Sequence, residues 1–211
     1  MIGLNRRRMM GGKKLPYDAE IEYLESSGTQ YITTSFIPDY DTTIESEVYL
    51  PDFASNKHYI YGAGTSYSNK NMEVYTWSNV TMNVNGNRTL SSRGVPTTEF
   101  IKLFMSSSRI SISNHQNELI AESTFTTNDF TCTSSLILFG ILREKIYAGW
   151  DKIKQLKVDN RNIPVFDFIP VRIDTTGYMY DKVSGKLFGN SGTGEFILGP
   201  DVTSEKGGLH E

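Results

Sequence analysis

Three acidic residues near the start of the sequence, Glu20, Glu22 and Glu25, have the types and spacing for one kind of chemistry. In retaining glycoside hydrolysis one carboxylate attacks the sugar while a second, about 5–5.5 Å away, shuttles the proton. A strand places Glu20 and Glu22 on one face, so the direction is right. A solvated strand face produces the same alternation, however, and surface carboxylates are the expectation. Glu45 and Glu47 form a similar one-face pair and are read the same way. His58 and His115 sit in no nucleophile motif, so surface or hairpin histidines are expected there rather than a Ser/His/Asp site. A structural calcium would need several oxygen ligands converging from loops. Asp39, Asp41, Asp52, Asn128 and Asp129 are available but at no diagnostic spacing, so neither cofactor nor metal is expected.

Aromatic side chains offer binding instead of catalysis, because sugar faces stack on Tyr and Trp. Tyr59, Tyr61, Tyr67, Tyr75 and Trp77 cluster around the stretch 62–71, which is rich in Gly, Ser and Asn. Loops of that composition on a rigid scaffold commonly carry binding, which makes Tyr61, Tyr67, Tyr75 and Trp77 the glycan-binding candidates. In the competing reading Tyr59 with Tyr61, and Tyr75 with Trp77, are same-face strand residues that fill the core. Trp150, next to Gly149, is assigned to the core.

The elements that must position these residues repeat with period two. Alternating or β-branched segments run at 21–36, 43–50, 58–61, 72–77, 81–84, 100–105, 109–113, 118–125, 136–142, 152–158, 165–173 and 178–180. Turn signals separate them. Asn85-Gly86 is the strongest, since a type I′ turn needs positive φ at both central positions. Ser184-Gly185 predicts a second hairpin. Pro170 cannot donate to a ladder, so its strand is expected to lie at an edge or to break there. Helix is expected only as a turn near 149–153. With 211 residues the chain makes one domain, and its many short strands indicate an all-β, two-sheet jelly-roll sandwich.

Composition excludes several classes. One cysteine, Cys132, rules out an intramolecular disulfide framework and is expected as a buried lone thiol. The net charge of −3 argues against a dedicated nucleic-acid binder, and no apolar run reaches the ~18 residues of a membrane span. The charge is uneven: Arg6, Arg7, Arg8, Lys13 and Lys14 give the first 14 residues +5. Met9-Met10-Gly11-Gly12 is too short for an apolar signal core, so no signal peptide is expected. Residues 1–14 read as a basic arm that is flexible or orders on a partner, with Arg6, Arg7 and Arg8 seeking acids and Met9 and Met10 making apolar contacts. Residues 202–211 read as a flexible tail.

Two stretches carry a resemblance. The run Leu15-Pro16-Tyr17-Asp18-Ala19-Glu20-Ile21-Glu22-Tyr23-Leu24-Glu25-Ser26-Ser27-Gly28-Thr29-Gln30-Tyr31-Ile32 resembles the opening of laminin-G-like, concanavalin A-like sandwich domains from bacteriophage structural proteins and gut bacteria. Asp167-Phe168-Ile169-Pro170-Val171-Arg172, Gly177-Tyr178-Met179-Tyr180-Asp181, Gly185, Leu187-Phe188-Gly189-Asn190 and Gly192-Thr193-Gly194 resemble their closing segment. Together they frame a sandwich at 15–201, and the preface Arg6–Lys14 is similar to the start of such phage proteins. The resemblance implies a non-enzymatic virion component, a head or tail fibre or decoration protein in many copies. Its arm would join other virion subunits and its sandwich would adhere to cell-surface glycans. The alternatives are a carbohydrate-binding module of a gut bacterial protein, in the cytoplasm or at the cell surface, and a degenerate glycoside hydrolase. For the last, Glu22 stands where the hydrolases of this fold carry Asp.

Overall fold

The computed structural model describes residues 9–10, 13–50, 58–76, 80–91, 95 and 98–202. Arg6, Arg7, Arg8, Asp52, Trp77 and the segment 203–211 lie outside the described residues. Met9–Met10 pairs with Lys13–Lys14 as a short antiparallel hairpin. Among the described residues no helix is long and apolar enough to cross a membrane.

Two antiparallel sheets face each other. The larger runs, in spatial order, Leu119–Thr124, Arg109–Asn114, Phe100–Met105, Thr42–Tyr49, Lys152–Asn160, Ile163–Ile173, Thr176–Asp181 and Lys186–Phe188. The smaller runs Asn87–Ser91, Val80–Val84, Met72–Thr76, His58–Ala63, Ile137–Leu138 and Ile32–Thr33. Period-two alternation sends Ile44 and Val48, Ile101 and Leu103, and Leu156 and Val158 inward from the large sheet, and Met72, Val74, Met82 and Val84 from the small one. One polar pair crosses this core, Ser46 Oγ with the Tyr61 hydroxyl at 3.1 Å. The molecule is therefore an all-β, two-sheet sandwich of the jelly-roll kind.

Asn85 and Gly86 have φ of 48° and 87°, and Val84 pairs directly with Asn87, as a two-residue type I′ hairpin requires. This turn docks on the loop before the Met72 strand: Asn85 N–H donates to Asn71 O at 2.7 Å and Lys70 N–H to Asn85 Oδ1 at 2.7 Å. A Cβ on Gly86 would run into the Ser68 carbonyl. Gly86→Ala is expected to cost about 1–2 kcal/mol from its φ alone, and more from the collision. An unchanged urea midpoint would refute this.

Four expectations need correction. The segment 149–153 holds no helical turn, because strand Lys152–Asn160 starts there and pairs with Tyr49 at once. The run 136–142 is not one strand. Phe139, buried at φ 59°, turns the chain out of the small sheet, and Gly140–Leu142 then pairs with Ile146–Ala148 as a hairpin across that sheet's outer face. Pro170 neither ends its strand nor sits at an edge. On one side it faces Met179, and on the other it falls where Ile163–Ile173 changes partner, between Phe168 opposite Leu156 and Val171 opposite Glu20. A missing N–H costs nothing in that gap. Trp150 is not core; it is 56% exposed. Its ring lies against Gly28, outside both sheets.

Candidate functional site

The loop singled out by its aromatics is built on a buried ion pair. Glu73 and Tyr75 alternate with Met72, Val74 and Thr76, so they leave the outer face of the small sheet beneath the loop 64–71 and the 140–148 hairpin. Arg143, at the tip of that hairpin, binds Glu73 Oε2 through Nη2. Glu73 Oε1 accepts from Asn83 Nδ2 at 2.7 Å and Asn71 Nδ2 at 3.1 Å. Arg143 Nη1 donates to the carbonyls of Gly64 and Ser66, and so fixes the loop from below. The guanidinium lies 4.3 Å from the Tyr67 ring centroid and 5.8 Å from that of Tyr59. Burial, and then the Glu73 charge, raise the Tyr59 phenol well above its ordinary range.

These contacts sort the glycan-binding candidates. Tyr67 is 49% exposed, with Arg143 on one face. Tyr61 is wholly buried; its hydroxyl is tied to Ser46 and its phenol is raised by desolvation, so no ring face reaches a ligand. Tyr75 is buried against Tyr59 and Ile141. Both rings are buried, but the same-face reading of Tyr59 with Tyr61 does not hold: a bulge between them sends Tyr61 into the core between the sheets and Tyr59, with Tyr75, to the outer-face cluster under the 140–148 hairpin. Trp77 lies outside the described residues.

A second surface was not singled out from sequence. The outward face of the large sheet forms a groove of about 370 Å³. Registered pairing lines its floor with two cross-strand rows. Ser111, Phe104, Glu45 and Lys157 make the first, and Ser113, Lys102, Glu47 and Gln155 the second. With strands about 4.8 Å apart, each row spans about 14 Å. Three of the second row's four side chains are committed internally: Glu47 to Lys154 at 2.9 Å, Lys102 to Asn117 at 2.6 Å, and Gln155 to Asp167 at 3.2 Å. The first row is not so committed. The side chains of Ser111, Glu45 and Lys157 bond no described residue, while Arg109 stands 5.3 Å over the Phe104 ring and pairs with Glu122 at 2.8 Å. At one end Phe100 meets Tyr23 and Tyr49, with Lys152 over both tyrosines. Such a surface can hold a polyhydroxylated chain, since it joins free donors and acceptors to half-buried ring.

No family model matches the chain, and no curated protein matches it. Solved structures do. A candidate carbohydrate-binding protein from Bacteroides ovatus superposes with a TM-score of 0.58 at 12% identity, over 87% of this chain and 61% of its own. The enzymatically active domain of tailspike protein 2 from bacteriophage CBA120 gives 0.45 at 14% identity, over 62% of this chain and 24% of that one. The native heptameric SAP-like pentraxin of Limulus polyphemus gives 0.45 at 12%, over 86% and 90%. Of these three, the Bacteroides likeness alone exceeds 0.5, and at its identity what is shared is the fold. The chain spans 61% of that protein's length.

The remaining chemistry candidates are occupied locally. Glu20 accepts from the Tyr17 hydroxyl at 3.0 Å, Glu25 pairs with Lys152 at 3.4 Å, and Glu22 is exposed. Asp39 Oδ1 already accepts from Asp41 N–H, Thr42 Oγ1 and Asn160 Nδ2, and Asp41 pairs with Arg161. Among the described residues no cluster of three His, Cys, Asp or Glu could hold a metal. Cys132 is buried and its thiol pushed up to about 12 by desolvation. The groove could have been suspected from Glu45-Ser46-Glu47 and Lys102-Leu103-Phe104, in each of which the first and third residues share the outward face of a strand. Sequence does not say that they stand side by side.

Proposed function

We propose that this chain is a non-enzymatic, glycan-binding β-sandwich of a phage virion, a fibre or decoration component that presents the groove of its large sheet to cell-surface polysaccharide. One observation carries the binding reading: the uncommitted row Ser111–Phe104–Glu45–Lys157, with acceptor, donors and an aromatic ring in one open groove. Its length favours an extended oligosaccharide over a single ring. The virion setting rests on the likeness of residues 15–32 and 167–194 to phage structural proteins. In that setting the basic arm joins other virion subunits and places the sandwich in many copies. A second reading, a carbohydrate-binding module of a gut bacterial protein, is favoured by the fold shared with the Bacteroides ovatus protein. The groove serves binding in either setting.

An oligosaccharide array should return a hit for the purified chain, and calorimetry should measure it. Glu45→Gln combined with Lys157→Met is expected to weaken that hit at least tenfold, as for hydrogen bonds to charged groups worth about 1.5–3 kcal/mol, and Phe104→Ala to weaken it through the lost ring contact. All three positions lie on the outward face, so folding should be unaffected. Variants that bind as tightly as the wild type would remove the groove from the account.

A further inference from the structure

We propose a second, separate sugar site at Trp150, one that takes a neutral pyranose. Trp150 is the most conspicuous exposed aromatic among the described residues, at 56%. Exposed tryptophan is usually mobile, but this ring is backed. Gly28, at φ 101°, packs against its Nε1 side so closely that an added Cβ would fall within the indole. The His58 ring stands 5.5 Å away at 37°, and burial lowers its pKa, so a neutral imidazole faces the indole.

Both segments that form this platform are pinned. Gly149 N–H donates to Phe139 O at 2.7 Å, and Ser26 N–H to Asp151 O at 3.1 Å, which fixes the residues on either side of Trp150. The turn that carries Gly28 closes on itself: Ser26 Oγ donates to Gln30 O at 2.9 Å, and Ser27 N–H to Gln30 Oε1 at 2.7 Å. Such pre-organisation lowers the ordering cost of a stacked ligand.

Gly28 also lines a cleft of about 310 Å³, so ring and cleft meet at this glycine, although the indole itself is not part of the cleft's lining. Thr29, Tyr31, Ser191 and Thr193 line it, and none of its lining residues is charged. Thr29 and Ser191 are committed, to Thr193 O and to Thr33. The hydroxyls of Tyr31 and Thr193 bond no described residue and are free to meet a ligand. An apolar C–H face would lie on the indole, with two ring hydroxyls reaching Tyr31 and Thr193. A carboxylated or sulfated sugar would find no cation in the lining. The groove on the large sheet shares no residue with this cleft, so either site can fail without the other.

Tryptophan fluorescence tests this directly, because the chain has two tryptophans. In full-length Trp77→Phe protein, emission comes from Trp150. Titration with methyl β-galactoside, methyl β-glucoside and methyl α-mannoside should give a saturable blue shift with at least one of them, at about millimolar affinity for so small a ligand. Glucuronic acid should give none. In wild-type protein the Trp150 indole N–H resonance, assigned by its loss in Trp150→Phe, should shift along the same isotherm. Thr193→Val with Tyr31→Phe should weaken binding at least fivefold, while Glu45→Gln with Lys157→Met leaves it unchanged. No saturable response in either measurement would overturn the proposal. So would a response that follows glucuronic acid, or one abolished by the groove variant instead of the cleft variant.

Discussion

Asp151→Asn is expected to stabilise the protein by on the order of 4 kcal/mol at pH 8 and to change little at pH 4. Asp151 is wholly buried, and neither carboxylate oxygen has a hydrogen-bond partner among the described residues. With no cation among the described residues to offset it, desolvation raises the carboxyl from 3.8 to about 7. The sign follows from proton counts. Between about pH 4 and 7 the unfolded chain has lost this proton and the native state keeps it, so native stability falls as pH rises across that window. Below it both states are protonated; above it both are ionised and the loss is complete. Asparagine copies the neutral carboxyl in shape but does not titrate. Urea unfolding of both proteins at intervals from pH 4 to 8 isolates the effect, since every other group titrates alike in the two. Parallel stability curves would show that Asp151 ionises freely in the native state.

Asp151 and Trp150 mark where sequence reading stopped. Strand positions were legible wherever side chains alternate along one strand: Phe100–Met105 has the predicted bounds, and Asn85-Gly86 gave a two-residue hairpin from its two residues alone. Such signals are local. The stretch Gly149-Trp150-Asp151 has no period, so the apolar ring was placed inside where the structure exposes it, and nothing pointed to the buried acid beside it. What decides it is the Gly28 turn, which is distant in sequence. The groove is hidden for the same reason. Glu45, Phe104 and Lys157 each look like an ordinary outward residue, and only strand order and register put them in one row. Tyr67 was legible because exposure at a Gly- and Ser-rich loop is a compositional property; the ion pair beneath it was not.

That ion pair sets the other large expectation. Glu73→Ala and Arg143→Met should each destabilise the fold by about 3–5 kcal/mol, since each strands its partner's charge where water cannot reach. The side chains are 0% and 3% exposed, so solvent screening gives little relief. Removing both charges should cost clearly less than the sum of the single losses, because neither charge is then left uncompensated, although Asn71, Asn83 and the Gly64 and Ser66 carbonyls still lose partners. The two single variants should also differ from each other. Arg143→Met cuts the hydrogen bonds to Gly64 and Ser66 and removes the cation beneath Tyr67, so amide exchange in 64–71 should speed up beyond what global destabilisation explains. Glu73→Ala leaves those bonds possible, and loop exchange should then track the global loss. A cost below about 1 kcal/mol for Arg143→Met, or equal loop exchange in both variants at matched stability, would mean that the loop is held by its own turn and by the Asn85 hairpin instead.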